Sequence, residues 1–450
     1  MQRYHLIQNS KTMAANTSVA AIFFLLIIYN KIFIFFKKNM REIISAIVID
    51  KDYVKHNYAL VKTNAENARC EEYIGLKILD NDSDILKELS DFRGVDAIIT
   101  IGGNFIDFKE MMKLPFEYRK KWVHFTEFSA ERVSNAIIAT FKSNINREHT
   151  KLFSIFTCTY KTGFGKLARL YNSLLAQTYR EWNWFVIDDS DDNNETVNIL
   201  KSFNDPRITI IQNVTNHGNI GFNKHTIAMM CNGDYLVEVD HDDELSDDCL
   251  ELLLNAFKVY NDTDFAYSLA AEFKGNTGKC IVYGDGWGHG EGLTKEELIK
   301  GEKLKISATP NITPFTIRTI YAMPNHVRCW TREFYNKIGG HNMDLSVLDD
   351  MEIIIRTFLY GKMTKIDKVL YYQYEGEGER GVNKDNTQSK RFGEIQRTVW
   401  YIKDVYDKKI HERILELGFE DPAWNEQLGC SQLWKQHTPN ENVMNNILTV

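Results

Sequence analysis

Residues Gly233 to Leu245 read GDYLVEVDHDDEL, and this stretch decides the fold. A β-rich apolar run from Tyr235 to Val239 stops abruptly in four polar residues, Asp240-His241-Asp242-Asp243. The run has the length of a buried strand, so its carboxylates stand together at the strand's end. Carboxylates so placed repel one another unless a cation sits among them. Hard oxygen ligands of this kind suit Mg2+ or Mn2+, which keep part of their water shell and bind substrate phosphates. The plainer reading is a solvated turn that leads into a helix near Ser246, and Asp243 alone fits that reading well.

Upstream of this stretch, Phe153 to Cys158, Trp184 to Ile187 and Arg207 to Ile211 read as three further strands. Between the first two, Leu167, Leu170, Tyr171, Leu174 and Leu175 fall at helical spacing. Strand alternating with helix implies right-handed crossovers and a parallel, doubly wound α/β sheet. Its ligand crevice then lies outside the carboxyl ends of the strands. Three strands end in polar residues: Thr157, Thr159 and Tyr160; Asp188-Asp189-Ser190; and Asp240 to Asp243. A parallel sheet brings all three groups to one edge.

The 450 residues point to two or three domains, with 44% apolar and 26% charged residues as in an ordinary globular chain. A net charge of −7 with no basic stripe argues against a nucleic-acid partner. A phosphate-bearing ligand would therefore need local help, such as a metal. Seven cysteines, scattered singly, give no zinc-type pair and read as free thiols in a reducing compartment. We divide the chain into an extension over 1–39, an accessory α/β domain over 40–148, the domain with the polar strand ends over 149–390, and a helical C-terminal extension over 391–450. The apolar run Val19 to Phe36 is close to bilayer length but carries Lys31. It reads either as a single membrane anchor or as a dispensable extension ahead of Met40. Lys37, Lys38 and Arg41 after it would keep the rest of the chain in the cytoplasm or on the cytoplasmic face of a membrane. In the accessory domain Asp84 to Phe92 reads as a helix, and Gly102-Gly103 as a plain turn after a strand.

FSIFTCTYKT (153–162), LLAQTYREWNWFVIDDSDD (174–192), NHGNIGFNK (216–224) and GDYLVEVDHDDEL together resemble the family 2 inverting glycosyltransferases with a GT-A fold. The resemblance covers about half the chain. It implies that Thr159, Tyr160, Asp188 and Asp189 hold the nucleoside of a nucleotide-sugar donor such as a UDP-sugar. Asp240 and Asp242 would hold a metal, Mn2+ or Mg2+, on the diphosphate. A carboxylate can accept the imide N–H of uracil and an aromatic ring can stack on the base, so the assignment is chemically sensible. KIGGHNMDLSVLDDMEIIIR (337–356) resembles the family's acidic pair at the start of a helix. Asp349 and Asp350 take that place, with Asp350 as the general base implied by the family order.

Some positions depart from the family pattern. Cys158 stands where a proline is usual and Lys161 where an asparagine is usual. Phe222-Asn223-Lys224 shifts the family's basic residue by one position, and Lys224 either reaches the diphosphate or is a solvated lysine. The stretch GEGERGVNKDNTQS (376–389) lacks the family's histidine and reads as a lid or an exposed loop. Trp287, His289, His326 and Trp330 line a sugar acceptor site or serve as core and surface residues. Two other functions remain open: a sugar nucleotidyltransferase, using Lys161 to Lys166 as a triphosphate loop, and a catalytically silent scaffold that binds partners. No processivity motif is present, which favours a single transfer to an acceptor the sequence does not name.

Overall fold

The computed structural model describes residues 116–145 and 151–433 with short breaks at 276, 285–286, 291, 320–322 and 376–390. Ahead of them it describes the segments 43–50, 73–79 and 95–103 and a few single positions. The run Val19 to Phe36, the helix expected over Asp84 to Phe92, Cys70 and the loop 376–389 lie outside the described residues. Among those described, no helix is long and apolar enough to cross a membrane.

The first sheet has the order β2-β1-β3-β4, all parallel, from β1 (Ile43–Asp50), β2 (Tyr73–Leu79), β3 (Ala97–Ile101) and β4 (Trp122–Phe125). Side chains alternate across it, as the two-residue strand period requires. Ala46, Val48, Ile99, Val123 and Phe125 pack against Val133, Ile137 and Phe141 of helix α1 (Ala130–Ile145). Gly102 and Gly103 turn the chain after β3 with φ of 87° and 61°, a left-handed turn that glycine adopts without cost.

The second sheet holds the strands expected from the sequence and four more. Its order is β7-β6-β5-β8-β13-β10-β14-β9. The left half is parallel: β5 (Phe153–Thr159), β6 (Trp182–Asp188), β7 (Ile208–Gln212) and β8 (Tyr235–Glu238). Beyond β8 come β13 (Arg328–Thr331), antiparallel to both its neighbours, then β10 (Phe265–Lys274) and β14 (Met363–Glu375), parallel to each other. The short β9 (Glu244–Leu245) closes the edge, and β11 (Thr294–Ile299) and β12 (Glu302–Ser307) form a separate hairpin.

Both faces of this sheet are covered at its centre, so β5, β6, β8 and β10 are buried along most of their length rather than at alternate residues. On one face Phe153, Ile155, Trp184 and Val186 meet helices α2 (Phe164–Leu175) and α5 (Cys249–Val259). On the other, Phe156, Phe185, Ile187 and Leu236 meet α4 (Ile220–Met230), α6 (Arg332–Lys337), α7 (Asp349–Tyr360) and the long α8 (Phe392–Glu416). Helix α3 (Glu195–Ser202) lies between β6 and β7 in the chain.

The outer face of the first sheet is not a free surface. Ile47, Ile49, Ile98 and Trp122 join Leu167, Leu170 and Leu174 of α2 in one hydrophobic cluster. Polar ties reinforce it: Arg132 forks onto Asp247, with Nη2 to Oδ1 at 2.9 Å, and Arg119 Nη1 donates to the carbonyl of Phe203 at 3.1 Å. The two α/β units read separately from the sequence thus bury a common core.

Candidate active site

The parallel register places the polar strand ends side by side. Thr159 pairs with Asp188 across β5 and β6, and Phe156 with Glu238 across β5 and β8. Thr159 Oγ1 donates to Asp188 Oδ1 at 2.7 Å, and Ser190 Oγ donates to the same oxygen at 2.6 Å. Asp188 Oδ2 is buried without a partner. Burial raises the pKa of this carboxyl, and the Ser190 and Thr159 hydroxyls act against that rise. Asp189 has a different task. Its carboxylate accepts from the backbone N–H of His217 and of Gly218, both at 2.9 Å, and from Asn213 Nδ2 at 2.7 Å. It therefore braces the loop that enters α4. Tyr160 is half exposed at the strand end, with Lys161 Nζ 5.2 Å from its ring centre.

At the end of β8 the four polar residues separate. Asp240 is the most open, its side chain 40% exposed, and its backbone N–H donates to Tyr371 Oη at 3.1 Å. Asp242 Oδ2 meets Lys166 Nζ at 3.2 Å, while Arg169 donates to the Asp242 carbonyl. Asp243 turns inward and accepts from Tyr371 Oη at 2.8 Å and from the Tyr374 N–H at 2.9 Å. Burial, then the charges of Asp240 and Asp242, push its carboxyl well above the usual range. The residues Lys161 to Lys166, weighed as a triphosphate loop, are engaged at both ends: Lys161 pairs with Asp191 at 2.7 Å and Lys166 with Asp242.

Beneath this edge lies a buried charge cluster that the sequence reading missed. Glu238, two residues before Asp240, points to the same side of the strand and is 1% exposed. Its Oε1 meets Lys224 Nζ at 2.6 Å and Arg328 Nη1 at 3.1 Å. Lys224 also reaches Asp349 Oδ2 at 3.2 Å, and Arg328 Nη2 reaches Asp350 Oδ2 at 3.0 Å. His341 Nε2 lies 3.4 Å from Glu238 Oε2. Two cations thus link the end of β8 to the acidic pair that opens α7. Lys224, expected at the diphosphate or in solvent, is instead 6% exposed and committed to this cluster. Burial alone would lower its pKa; Asp349 and Glu238 hold it well above the usual value.

The two acids of the pair differ. Asp349 is buried, and burial raises its pKa against the pull of Lys224. Asp350 faces outward with its side chain 34% exposed. Burial of its surroundings would raise its pKa too, but Arg328, then Lys224, hold it below the ordinary carboxylate range. Glu238 is held well below it, against its burial, by Lys224 and Arg328. The α7 N-terminus adds a favourable dipole for all of them.

The residues expected for the acceptor do not form one wall. Trp330 is in the core, its Nε1 bonded to Thr357 Oγ1 at 3.0 Å. Trp287 stacks on Tyr283 and donates to the carbonyl of Ala308, whereas His289 meets Thr319 Oγ1 at 2.9 Å. His326 instead sits at Asp240: its Nε2 lies 3.8 Å from Asp240 Oδ2 and 3.7 Å from Glu238 Oε1.

Residues 154–319 match the family model described as glycosyl transferase family 2. The matched stretch, which holds the parallel half of the second sheet and its polar strand ends, is therefore similar to the glycosyltransferases of that family. Among curated proteins it is similar to a chondroitin synthase of Escherichia coli, 25% identical over 68% of this chain and 36% of that protein. The chain spans smaller shares of the other curated relatives it matches. Among solved structures it is similar to S. aureus TarS 1-349 in complex with UDP-GlcNAc, at 20% identity, a TM-score of 0.42, and coverage of 59% of this chain and 73% of that one.

Proposed function

We propose that the protein is an inverting glycosyltransferase that moves a sugar from a nucleotide-sugar, a UDP-sugar by preference, to an acceptor hydroxyl with a divalent cation, Mn2+ or Mg2+, at Asp240. The observation that carries this reading is Arg328, whose guanidinium spans from Glu238 under the metal motif to Asp350 at the start of α7. Donor end and acceptor end of the crevice are thereby fixed in one frame, which is the positioning that group transfer requires.

Asp188 keeps one oxygen without a partner at the strand edge and serves as acceptor for the imide N–H of the base. The open ring of Tyr160 stacks on it. Asp189, through its three donors, shapes the loop on that side rather than meeting the ligand. When bound, the cation supplies charge that stabilises the departing diphosphate. Asp350 accepts the proton of the acceptor hydroxyl while the hydroxyl oxygen bonds to the anomeric carbon. The bond from that carbon to the donor phosphate oxygen breaks on the opposite face, and its electron pair leaves with the nucleoside diphosphate. Because Arg328 keeps Asp350 ionised, the base is ready at neutral pH.

The test is a panel of nucleotide-sugars offered to the protein with Mn2+, following donor binding and nucleotide release. Wild type should release nucleotide only with metal present. Asp240→Ala should lose the metal-dependent nucleotide release, and Asp350→Asn should bind donor with turnover down roughly 10²–10⁴-fold. An Asp350→Asn enzyme at wild-type rate removes the base from this scheme.

A further inference from the structure

We infer that His326 is a nitrogen ligand of the cation at Asp240, taking the place expected of Asp242. The inference rests on the metal-dependent reading above and deepens it.

Ligand atoms of Glu238, Asp240 and His326 lie within 4.8 Å of one another, a grouping that leaves out Asp242. Within it, His326 is 4% exposed and its Nε2 is buried with no hydrogen-bond partner. A buried lone pair without a donor is costly unless something binds it. That Nε2 carries the lone pair follows from the other side of the ring. His326 Nδ1 lies 3.0 Å from Asn325 Oδ1, which can only accept, so Nδ1 bears the hydrogen. The Asn325 amide is oriented in turn by its Nδ2, which donates to Gln373 Oε1 at 2.6 Å. Metal-bound histidines characteristically donate their second N–H to such an oxygen, which fixes tautomer and ring angle.

The ring and the aspartate are also held by one tyrosine. Tyr371 stacks on His326 with centroids 4.5 Å apart and planes 17° from parallel, and its hydroxyl accepts from the Asp240 N–H. The 3.8 Å between His326 Nε2 and Asp240 Oδ2 falls between the separations of about 3.0 Å and 4.2 Å for neighbouring and opposite ligands at bonds of ~2.1 Å. Glu238 is the less suited ligand, since Lys224 and Arg328 hold its Oε1 and match its charge. The Asp242 carboxylate is drawn toward Lys166, while Arg169 holds its backbone carbonyl. An imidazole ligand favours Mn2+ over Mg2+, because magnesium prefers an all-oxygen shell.

The experiment uses the full chain and Mn2+ alone, then Mn2+ with UDP, followed by electron paramagnetic resonance. Free-ion signal gives affinity, and pulsed measurement reports whether a nitrogen nucleus couples to the bound ion. We expect nitrogen coupling in wild type, lost in both His326→Ala and His326→Gln, with affinity down about 10-fold or more. Asn325→Leu should weaken binding about 10-fold while the coupling persists, and Asp242→Asn should stay within about 2-fold of wild type. Bound Mn2+ without nitrogen coupling in wild type overturns the inference by itself, whatever the fate of the variants, and leaves the metal-dependent reading standing. Coupling that survives in His326→Gln but vanishes in His241→Gln overturns it in favour of the motif's own histidine. No Mn2+ binding by wild type, with or without UDP, overturns both the inference and the metal-dependent reading.

Discussion

Glu238 holds two cations on one carboxylate and, through them, two acids on another element. Replacing it by Gln keeps the shape and strands Lys224 and Arg328 with less negative charge than they were buried with. Breaking a buried pair in this way costs about 3–5 kcal/mol, so Glu238→Gln should lower Tm by several degrees. The pH dependence has a definite sign. The folded-state pKa of Glu238 is depressed, so its contribution is complete above the unfolded value of about 4.3 and is lost as pH falls through the folded value. Melting curves of wild type and Glu238→Gln should differ fully near pH 7 and draw together in acid. A gap that does not narrow with acidification means Glu238 acts by packing alone. At the same scale, the strand-end acids Asp188 and Asp240 were legible in the sequence because each stands at an abrupt change in polarity, whereas Asp350 was singled out only through the family's acidic pair. Glu238 was not: one acid inside DYLVEV reads as the half-exposed position of a strand. The signal lay in its two-residue spacing from Asp240, which puts both side chains on the same side of a strand with two covered faces.

Among the elements, α4 and the segment before α7 meet with no space between them. The Gly221 N–H donates to the Leu345 carbonyl at 3.0 Å, and a Cβ built on Gly221 would stand 2.2 Å from the Asn342 carbonyl oxygen and 2.4 Å from that of Leu345. Both obstacles are backbone, so neither can rotate aside. Gly221→Ala must therefore move α4 away from the loop that leads to Asp349 and Asp350, and with it Lys224. Overpacking of this kind costs about 1–3 kcal/mol. Under the proposed scheme turnover should fall more than donor affinity, because the Asp350 end shifts while the Asp188 end does not; equal losses in both would place the disturbance elsewhere. The elements themselves were mostly legible. β5 to β8 and α2 follow from apolar spacing, and α8 (Phe392–Glu416) opens the stretch read as a helical C-terminal extension. The place of β13 was not, since it is only four residues long and its partners β8 and β10 are far from it in sequence, so no local pattern announces the pairing.

For the whole molecule, the accessory sheet and the glycosyltransferase domain share a core rather than a linker. Trp122 is 1% exposed in a cluster that contains residues of both sheets, and Arg180 Nη2 donates to its carbonyl at 3.3 Å. Trp122→Ala should cost about 3–5 kcal/mol and lower the unfolding temperature of the catalytic part together with that of the first unit, in one transition. Two separate transitions, with only the earlier one displaced, would show that the units fold independently. The sequence suggested a separate unit because each sheet has its own strand–helix alternation. Apolar residues on the outer face of β1, β3 and β4 look the same whether they meet a helix of their own or one from the next unit.

Strand β13 runs against its neighbours, and this reversal reaches beyond the sheet. A parallel strand offers the crevice only the residues at its finish. A reversed one offers those at its start, and so Arg328 lies opposite Glu238, with His326 just ahead of it. The crevice is thus fed from the exits of β5, β6 and β8 and from one entrance. Whatever precedes that entrance, the hairpin β11–β12 and the chain that returns from it, is tethered directly to the reacting edge. Insertions there would tune the chemistry itself, whereas insertions of the same length on the far side of β13 would alter only the outer surface.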